Sequence, residues 1–520
     1  MPRRRPATSL RDVPVVVGER LTLEDVVAVA CGEPVVLSAD ARERMRASRR
    51  VIDDKVEAGE TVYGVTTGLG SLANVRLAPE EVRRLQLGLL RSHAVGTGPY
   101  LGEWEARAML LLRAQVLALG HSGVRPLIVE RVVEFLNRDI LPLVPEQGSL
   151  GASGDLAPLA HLALPLVGEG EVSFRGERMP GGTALERAGL APIELEPKEG
   201  LSLVNGTQGM LAVGLLAAAR GRALCRAVDV SAAMTMEAVL ASDGPFDERL
   251  QRLRPHPGQA ASASNLRRLL AGSAIVGSHR ESQHLVQDGY SLRCAPQVHG
   301  AFRDVLAFAL GVMEIELGAV SDNPLVLPET GEVLSGGNFH GQPVANALDA
   351  LAAASVSLAS ISERRVYRSL DPATNNGLPA FLVERSGMNS GLMIVQYTAA
   401  ALVSESKTLA HPAGTDSIPS SAGQEDHVSM GMTAARHARD CIANAEKVVG
   451  IEALVAAQGI DLRAPISPAP GTAAALAAVR RVIPFLEEDR ALAPDLEAAV
   501  QLVASGALVE AVQEVVGPLD

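Results

Sequence analysis

Residues 148–158 read Gly-Ser-Leu-Gly-Ala-Ser-Gly-Asp-Leu-Ala-Pro, and the centre of that run, Ala152-Ser153-Gly154, holds the atoms of an electrophile that no ordinary side chain provides. Attack of the Gly154 amide nitrogen on the Ala152 carbonyl, with loss of two waters, would close a methylidene-imidazolone ring whose exocyclic carbon comes from Ser153. Small residues suit the closure, because Gly has no Cβ to block the bent backbone and Ala adds only a methyl. Such a carbon would accept an amine and make it a better leaving group, which is what elimination of ammonia from an α-amino acid requires. That elimination also needs a base for a β-proton of very low acidity and a cation to hold the carboxylate. As a bare tripeptide Ala-Ser-Gly is an ordinary loop, so its surroundings decide the reading.

Continued through Leu159, the run resembles the signature Gly-Ser-x-Gly-Ala-Ser-Gly-Asp-Leu-x-Pro-Leu of the histidine and aromatic ammonia-lyase family, and the resemblance extends from about Leu21 to about Leu508. It implies a mainly α fold, a long-helix bundle of the aspartase/fumarase-like superfamily with a loop-rich N-terminal part. It also implies a ring formed autocatalytically from Ala152, Ser153 and Gly154, no external cofactor, and a homotetramer. Thr61-Val62-Tyr63-Gly64-Val65-Thr66-Thr67-Gly68-Leu69-Gly70 resembles the family loop that carries the catalytic tyrosine, so Tyr63 is the candidate base. A phenol ionises near about 10, and a phenolate at neutral pH needs roughly 3–4 kcal/mol of differential stabilisation. The glycines let backbone amides approach and the loop act as a lid; their spacing matches neither phosphate-binding fingerprint.

Arg293, in Gln287-Asp288-Gly289-Tyr290-Ser291-Leu292-Arg293-Cys294, can grip both oxygens of a carboxylate in a planar fork. Tyr290 and Gln287 precede it on one side of a helical or turn segment; by resemblance Tyr290 assists proton movement and Gln287 contacts ring or substrate. Asn205, in Leu203-Val204-Asn205-Gly206-Thr207, has an amide able to donate to the ring carbonyl as charge builds there. Phe339, in Gly336-Gly337-Asn338-Phe339-His340-Gly341, by resemblance packs against the ring. Taken singly, Asn205 reads better as a helix cap and Phe339 as a core aromatic.

Three residues speak to substrate. Ser92-His93 matches the histidine-lyase pattern, as does Met393 in Gly391-Leu392-Met393-Ile394. Glu425, in Gln424-Glu425-Asp426-His427, can only accept hydrogen bonds when ionised, which suits an imidazole N–H and leaves a phenyl ring against an unpaired carboxylate. His93 would take the other ring nitrogen. The expected reaction is L-histidine to trans-urocanate and ammonia. The lid is mixed: Thr66 and Leu69 stand where histidine lyases usually carry Asn and Phe, and Thr-Thr-Gly is the habit of tyrosine and phenylalanine lyases and the 2,3-aminomutases. Those activities stay open, as does an uncyclised helical oligomer serving as a scaffold.

These residues need a frame to hold them. Pro79-Glu80-Glu81-Val82 opens a helix to about His93, with Val82, Leu85 and Leu89 at helical spacing. Ala106–Leu119 and Pro126–Leu136 read as a helix pair, Pro145–Gly154 as a loop and Val172–Met179 as a hairpin. Long helices are expected over about Thr207–Leu240, Pro296–Leu317, Gln342–Arg368, Gly391–Ala410 and Met432–Gln458, apolar on several faces and completed by other copies of the chain. No linker, repeat or charge block divides the 520 residues. The chain reads as an N-terminal part over 1–200, carrying lid and ring, and a bundle with C-terminal helices over 201–520.

Hydrophobic residues make up 47% but aromatics only 3%, so Leu, Val, Ala and Ile must fill helix-to-helix seams. A net charge of −13 argues against nucleic acid, and Arg3-Arg4-Arg5 reads as a solvated tail. Cys31, Cys225, Cys294 and Cys441 form no CxxC pair, and neither a secretory leader nor an apolar run of about 18–20 residues is found. A soluble, cytoplasmic enzyme with free thiols is expected, with no membrane partner. No HxxxH or HExxH pair signals a metal: His93, His284, His340 and His427 lie in separate motifs, and His161 reads as a hydrogen-bonded core residue.

Overall fold

The structure, a computed structural model, describes residues 13–68, 79–280 and 286–520, so Leu69, Gly70, His284 and the Arg3-Arg4-Arg5 run lie outside the described residues. The described chain is mainly α. It divides into two compact units that are discontinuous in sequence. The first takes the chain up to Leu216 with Leu310–Asp349 and Pro412–Arg436; the second takes Ala217–Ala309, Ala350–His411 and His437–Asp520.

In the first unit the helix Pro79–His93 spans the expected residues, with Val82 and Leu89 buried as the spacing requires. Glu103–Ala118 is buried continuously from Ala106 onward, polar Arg113 and Gln115 included. Pro126–Arg138 has Pro at its first turn and ends on Asp139 in the left-handed region (φ 59°). The expected hairpin is present: Glu171–Phe174 pairs antiparallel with Glu177–Pro180 around Arg175 and Gly176, both at positive φ as a tight two-residue turn requires. Ile140–Pro142 adds a third strand. The Pro145–Gly154 loop differs from expectation at its start, where Pro145–Gln147 pairs with Thr97–Tyr100. That partner follows His93 directly, so the short ladder ties the segment leading to the tripeptide to the end of the Pro79–His93 helix. Leu23–Ala30, opened by a Thr22/Asp25 capping box, and Ala39–Glu57 are further helices, each burying one face at helical spacing.

The long helices run Gln208–Ala238, Ala295–Leu317, Gln342–Leu370, Met393–Leu409 and Gly431–Asp461, each within a few residues of the expected bounds. Their seams are small and aliphatic: Ala227, Ala232, Ala233 and Ala238 in one helix, and Ala445, Ala453, Ala456 and Ala457 in another, are all at most 2% exposed. Interdigitating small side chains lets helix axes approach closely and fills the interior without aromatic bulk. Gln342–Leu370 is long and apolar enough to cross a membrane by length and composition, contrary to the expected absence of such a run. It differs from a lipid-facing span in that 61% of its most apolar window is buried within the protein. All four cysteines are unpaired.

Candidate active site

The tripeptide sits between the Pro145–Gln147 strand and the helix Leu156–Ala163. Ser153 adopts φ 52° and Gly154 φ 80°. A left-handed serine costs on the order of 1 kcal/mol and persists only where neighbours impose it. The bend it makes turns the Gly154 nitrogen back along the chain, where its N–H donates to the Gly151 carbonyl at 3.3 Å. Three contacts impose the bend: Gly206 N–H donates to the Ser153 carbonyl (3.2 Å), Asp155 N–H donates to the Gly206 carbonyl (2.8 Å), and Met430 N–H donates to the Leu150 carbonyl (3.1 Å).

The cradle has no room for side chains. A Cβ on Gly154 would overlap the Gly206 carbonyl, and one on Gly151 would overlap the Ser429 hydroxyl. These residues therefore fit a backbone that must close on itself. Gly154→Ala should lower stability by about 2–4 kcal/mol through overlap plus positive-φ strain and should abolish ring closure. Intact mass would check this; a variant that still sheds two waters would show that the cradle is not what bends the chain.

Asp155 anchors the far side. It is fully buried, its carboxylate accepting from Ser149 Oγ (2.9 Å) and from Met210 N–H (2.7 Å) at the start of the Gln208–Ala238 helix. Burial pushes its carboxyl up to about 6, against those hydrogen bonds.

Asn205 departs from the expected arrangement. Its amide nitrogen donates to Asp322 Oδ1 (3.1 Å) and to the Asn323 carbonyl (2.9 Å), and because both partners only accept, the amide orientation follows. The oxygen that would become the ring carbonyl, that of Ser153, receives Gly206 N–H instead. Asn205 thus holds the turn that aims its neighbour. Behind it lies a buried charge cluster: Lys198 Nζ donates to Asp322 (2.9 Å) and Ser202 (2.8 Å), and Arg113 donates to the Asn205 carbonyl (2.9 Å) and Gln208 (2.7 Å). Burial alone would raise the Asp322 carboxyl, but Lys198 and Arg113 hold it below its ordinary value. Gly206 was not among the expected site residues; the available signal is its place in a non-helical break between Glu199–Val204 and Gln208–Ala238.

Glu425 reaches the tripeptide. In the unmodified chain Ser153 Oγ donates to Glu425 Oε1 at 3.3 Å, and Ser420 Oγ donates to Oε2 at 2.8 Å. The backbones of Ser420 and Glu425 also exchange both hydrogen bonds, 2.9 and 3.3 Å, closing a six-residue loop. His340 Nε2 donates to the His427 carbonyl (3.2 Å) with the rings stacked 5.8 Å apart, which joins the loop carrying Phe339 to the loop carrying Glu425. Phe339 itself is half-buried.

His93 ends its helix with Nδ1 on the Leu89 carbonyl at 2.9 Å, so Nδ1 carries the proton and Nε2 presents a lone pair. Burial holds its imidazole below the usual range, opposed by the Leu89 carbonyl and the Glu425 charge. His161, on the helix that follows the tripeptide, is hydrogen-bonded as expected, its Nε2 accepting Gly96 N–H at 3.0 Å, but it is half-buried rather than a core residue. Burial depresses its pKa, so its stabilising contribution is whole above about pH 6.5 and is lost as pH falls through the folded value. His161→Gln, which keeps an acceptor, should therefore show a smaller fall in Tm between about pH 7 and pH 5 than the parent; an equal or steeper fall would remove His161 from the acid limb. Asp155 acts with the opposite sign over part of this range, equally in both proteins.

Tyr63 is half-buried in a turn braced by threonines. Thr66 Oγ1 accepts Val62 N–H (2.9 Å) and donates to the Glu60 carbonyl (2.7 Å), while Thr67 Oγ1 accepts Gly64 N–H (3.2 Å). Thr66, where an Asn is usual for histidine lyases, thus closes the turn that presents Tyr63.

Tyr290, Arg293, Gln287 and Met393 belong to the second unit. Tyr290–Arg293 forms a single helical turn in which the Arg293 guanidinium lies over the Tyr290 ring, 4.6 Å from its centre, and the Arg293 Nε is buried without a partner among the described residues. Gln287 and Arg293 both line a cavity of about 610 Å³ within this unit, together with Asp288, Cys294, Arg280 and His279. Met393 is half-buried at the start of its helix, behind Ser390 and Gly391, whose N–H groups both donate to Asp489 at 2.8 Å.

The aromatic amino acid lyase family model matches residues 21–481. The chain belongs to the aromatic amino acid lyase family. Within this lyase family it is 55% identical over 515 residues to the histidine ammonia-lyase of Sorangium cellulosum, covering 97% of this chain and 100% of that one. It is 52% identical over 512 residues to that of Gloeobacter violaceus, covering 98% and 99%. Among solved lyase-family structures, the histidine ammonia-lyase from Trypanosoma cruzi superposes with a TM-score of 0.89 at 42% identity, covering 96% and 95% of the two chains. The tyrosine aminomutase from Streptomyces globisporus gives 0.91 at 39%, covering 96% and 99%. Backbone likeness within the family does not separate these activities, so the side chains must.

Proposed function

We propose that the protein is an ammonia-lyase that converts L-histidine to trans-urocanate and ammonia. The observation that carries this reading is Glu425: its carboxylate lies on the Ser153 hydroxyl while His93, in the same unit, presents an Nε2 that has no partner among the described residues. An imidazole N–H has an acceptor in either residue, whereas a phenyl ring would strip water from the carboxylate and return no hydrogen bond, a loss of about 1–3 kcal/mol.

The ring formed from Ala152-Ser153-Gly154 supplies an electrophilic carbon at the position of the Ser153 Cβ, and no external cofactor is needed. Gly206 N–H, held by Asn205, stabilises charge on the Ser153 carbonyl oxygen. Tyr63 takes the β-proton from a turn kept in shape by Thr66 and Thr67. The Arg293 fork binds the substrate carboxylate, with Tyr290 stacked beside it to move a proton and Gln287 as a polar contact. Phe339 serves as an apolar contact for the ring and Met393 as one for the substrate. The working form is a cytoplasmic homotetramer: Phe308 and Ile315 on one long helix and Ile394 and Tyr397 on another are 56–76% exposed, an unusual display of large apolar residues that other copies of the chain would cover.

Purified protein offered L-histidine, L-tyrosine and L-phenylalanine in parallel should release urocanate from histidine alone. Turnover confined to tyrosine would overturn the substrate, and a β-amino acid product would make the protein an aminomutase.

A further inference from the structure

The second unit contains a buried polar chain that ends on the turn carrying Arg293. Asp229, His299, Arg365 and Glu452 come from four long helices and are at most 1% exposed. Arg365 forks onto Glu452, Nε to Oε1 at 2.5 Å and NH2 to Oε2 at 2.8 Å. Its remaining nitrogen, NH1, faces His299 Nε2 at 3.2 Å and the Ser291 carbonyl at 3.3 Å. His299 Nδ1 donates to Asp229 at 2.7 Å, which makes Nε2 the acceptor for Arg365. Asp229 also takes Ser262 (2.6 Å), Asn265 (3.0 Å) and Arg303 (2.8 Å), and Glu452 also takes Thr235 (2.9 Å) and Ser362 (2.6 Å).

Two carboxylates and two guanidiniums balance, and burial keeps His299 neutral. A charge-balanced network of this kind, satisfied apart from Arg303 Nε, is rigid, because displacing one of its charged members strands the opposite charge in the interior. Among the described residues, one hydrogen bond of this network leaves the helices for the Tyr290–Arg293 turn: Arg365 to the Ser291 carbonyl. A second contact presses the same turn, since a Cβ on Gly289 would sit 2.6 Å from Arg368 NH1, one helical turn beyond Arg365.

We propose that Arg365 is a positioning residue for substrate-carboxylate binding: anchored by Glu452 and His299, it fixes the Ser291 carbonyl and thereby the aim of the Arg293 guanidinium. The inference rests on the assignment of Arg293 as the carboxylate clamp. A planar guanidinium presents nitrogens on separate edges, so Arg365 reaches Glu452 with two of them and the Ser291 carbonyl with the third; the single nitrogen of a lysine does not span those partners, so the role does not transfer to Lys.

Arg365→Lys keeps the charge opposite Glu452 and gives up the reach to Ser291. The double variant Arg365→Met with Glu452→Gln removes both charges together and covers the case in which the single variant folds poorly. In either, KM for histidine should rise about tenfold or more with kcat within about threefold, the loss of two waters intact by mass, and Ki for histamine, which lacks the carboxylate, within about twofold of the parent. Unchanged KM in a folded variant, or equal weakening of histidine and histamine, would overturn the proposal. Arg293→Lys, measured alongside, separates the two claims: selectivity lost there but kept in both Arg365 variants sinks the positioning role alone, and selectivity kept in all three sinks the clamp and the role together.

Discussion

Ser153→Ala should fold like the parent, shed at most one water, and turn over histidine slower by on the order of 10⁴-fold or more, about 5.5 kcal/mol of barrier. Alanine tolerates the left-handed bend at position 153 no better and no worse than serine, so the Gly206 and Met430 contacts that impose φ 52° should survive. Closure of Gly154 nitrogen on the Ala152 carbonyl remains open to it and accounts for one water. The second water is the Ser153 hydroxyl itself, and without it no exocyclic double bond can form. Intact mass and a urocanate assay read the two consequences separately. Parental turnover in Ser153→Ala would defeat the mechanism whatever the mass.

Glu425→Gln should lower kcat/KM for histidine by about 10²–10³, roughly 3–4 kcal/mol, with little change in Tm. The isosteric amide can still accept from Ser420 Oγ, so the loop keeps its closure. What disappears is the charge proposed to receive an imidazole N–H, which also acts on His93. Mass measurement belongs with the kinetics, because Glu425 also touches the Ser153 hydroxyl in the unmodified chain. A variant that has lost two waters yet turns over slowly places the defect in substrate handling, and undiminished histidine turnover would sink the imidazole contact.

Local signals in the sequence reach a long way into this molecule. The Ala152-Ser153-Gly154 context, the Pro79–His93 helix and the hairpin around Gly176 are each specified by residues within a few positions of one another, and the structure has them where the sequence places them. What escapes is set by distant partners. Pro145–Gln147 carries no strand pattern of its own and becomes a strand because Thr97–Tyr100 arrives beside it. Asn205 offers an amide that could point anywhere, and its direction depends on Asp322, 117 residues away. Arg365, His299 and Asp229 look like isolated polar interruptions of apolar helices until those helices pack. Polar residues on such faces are illegible one helix at a time, since their meaning lies in the partner.

The Ser420–Glu425 loop satisfies itself: both ends are joined backbone to backbone, its carboxylate is held by its own Ser420 hydroxyl, and Ser421 and Ala422 absorb the curvature at φ 51° and 54°. The group proposed to read the substrate therefore rides on a self-contained cassette. A hexapeptide of equal span could replace it without breaking the surrounding fold, and one that kept an acceptor for the Ser153 hydroxyl would keep this loop's hydrogen bond with the tripeptide as well.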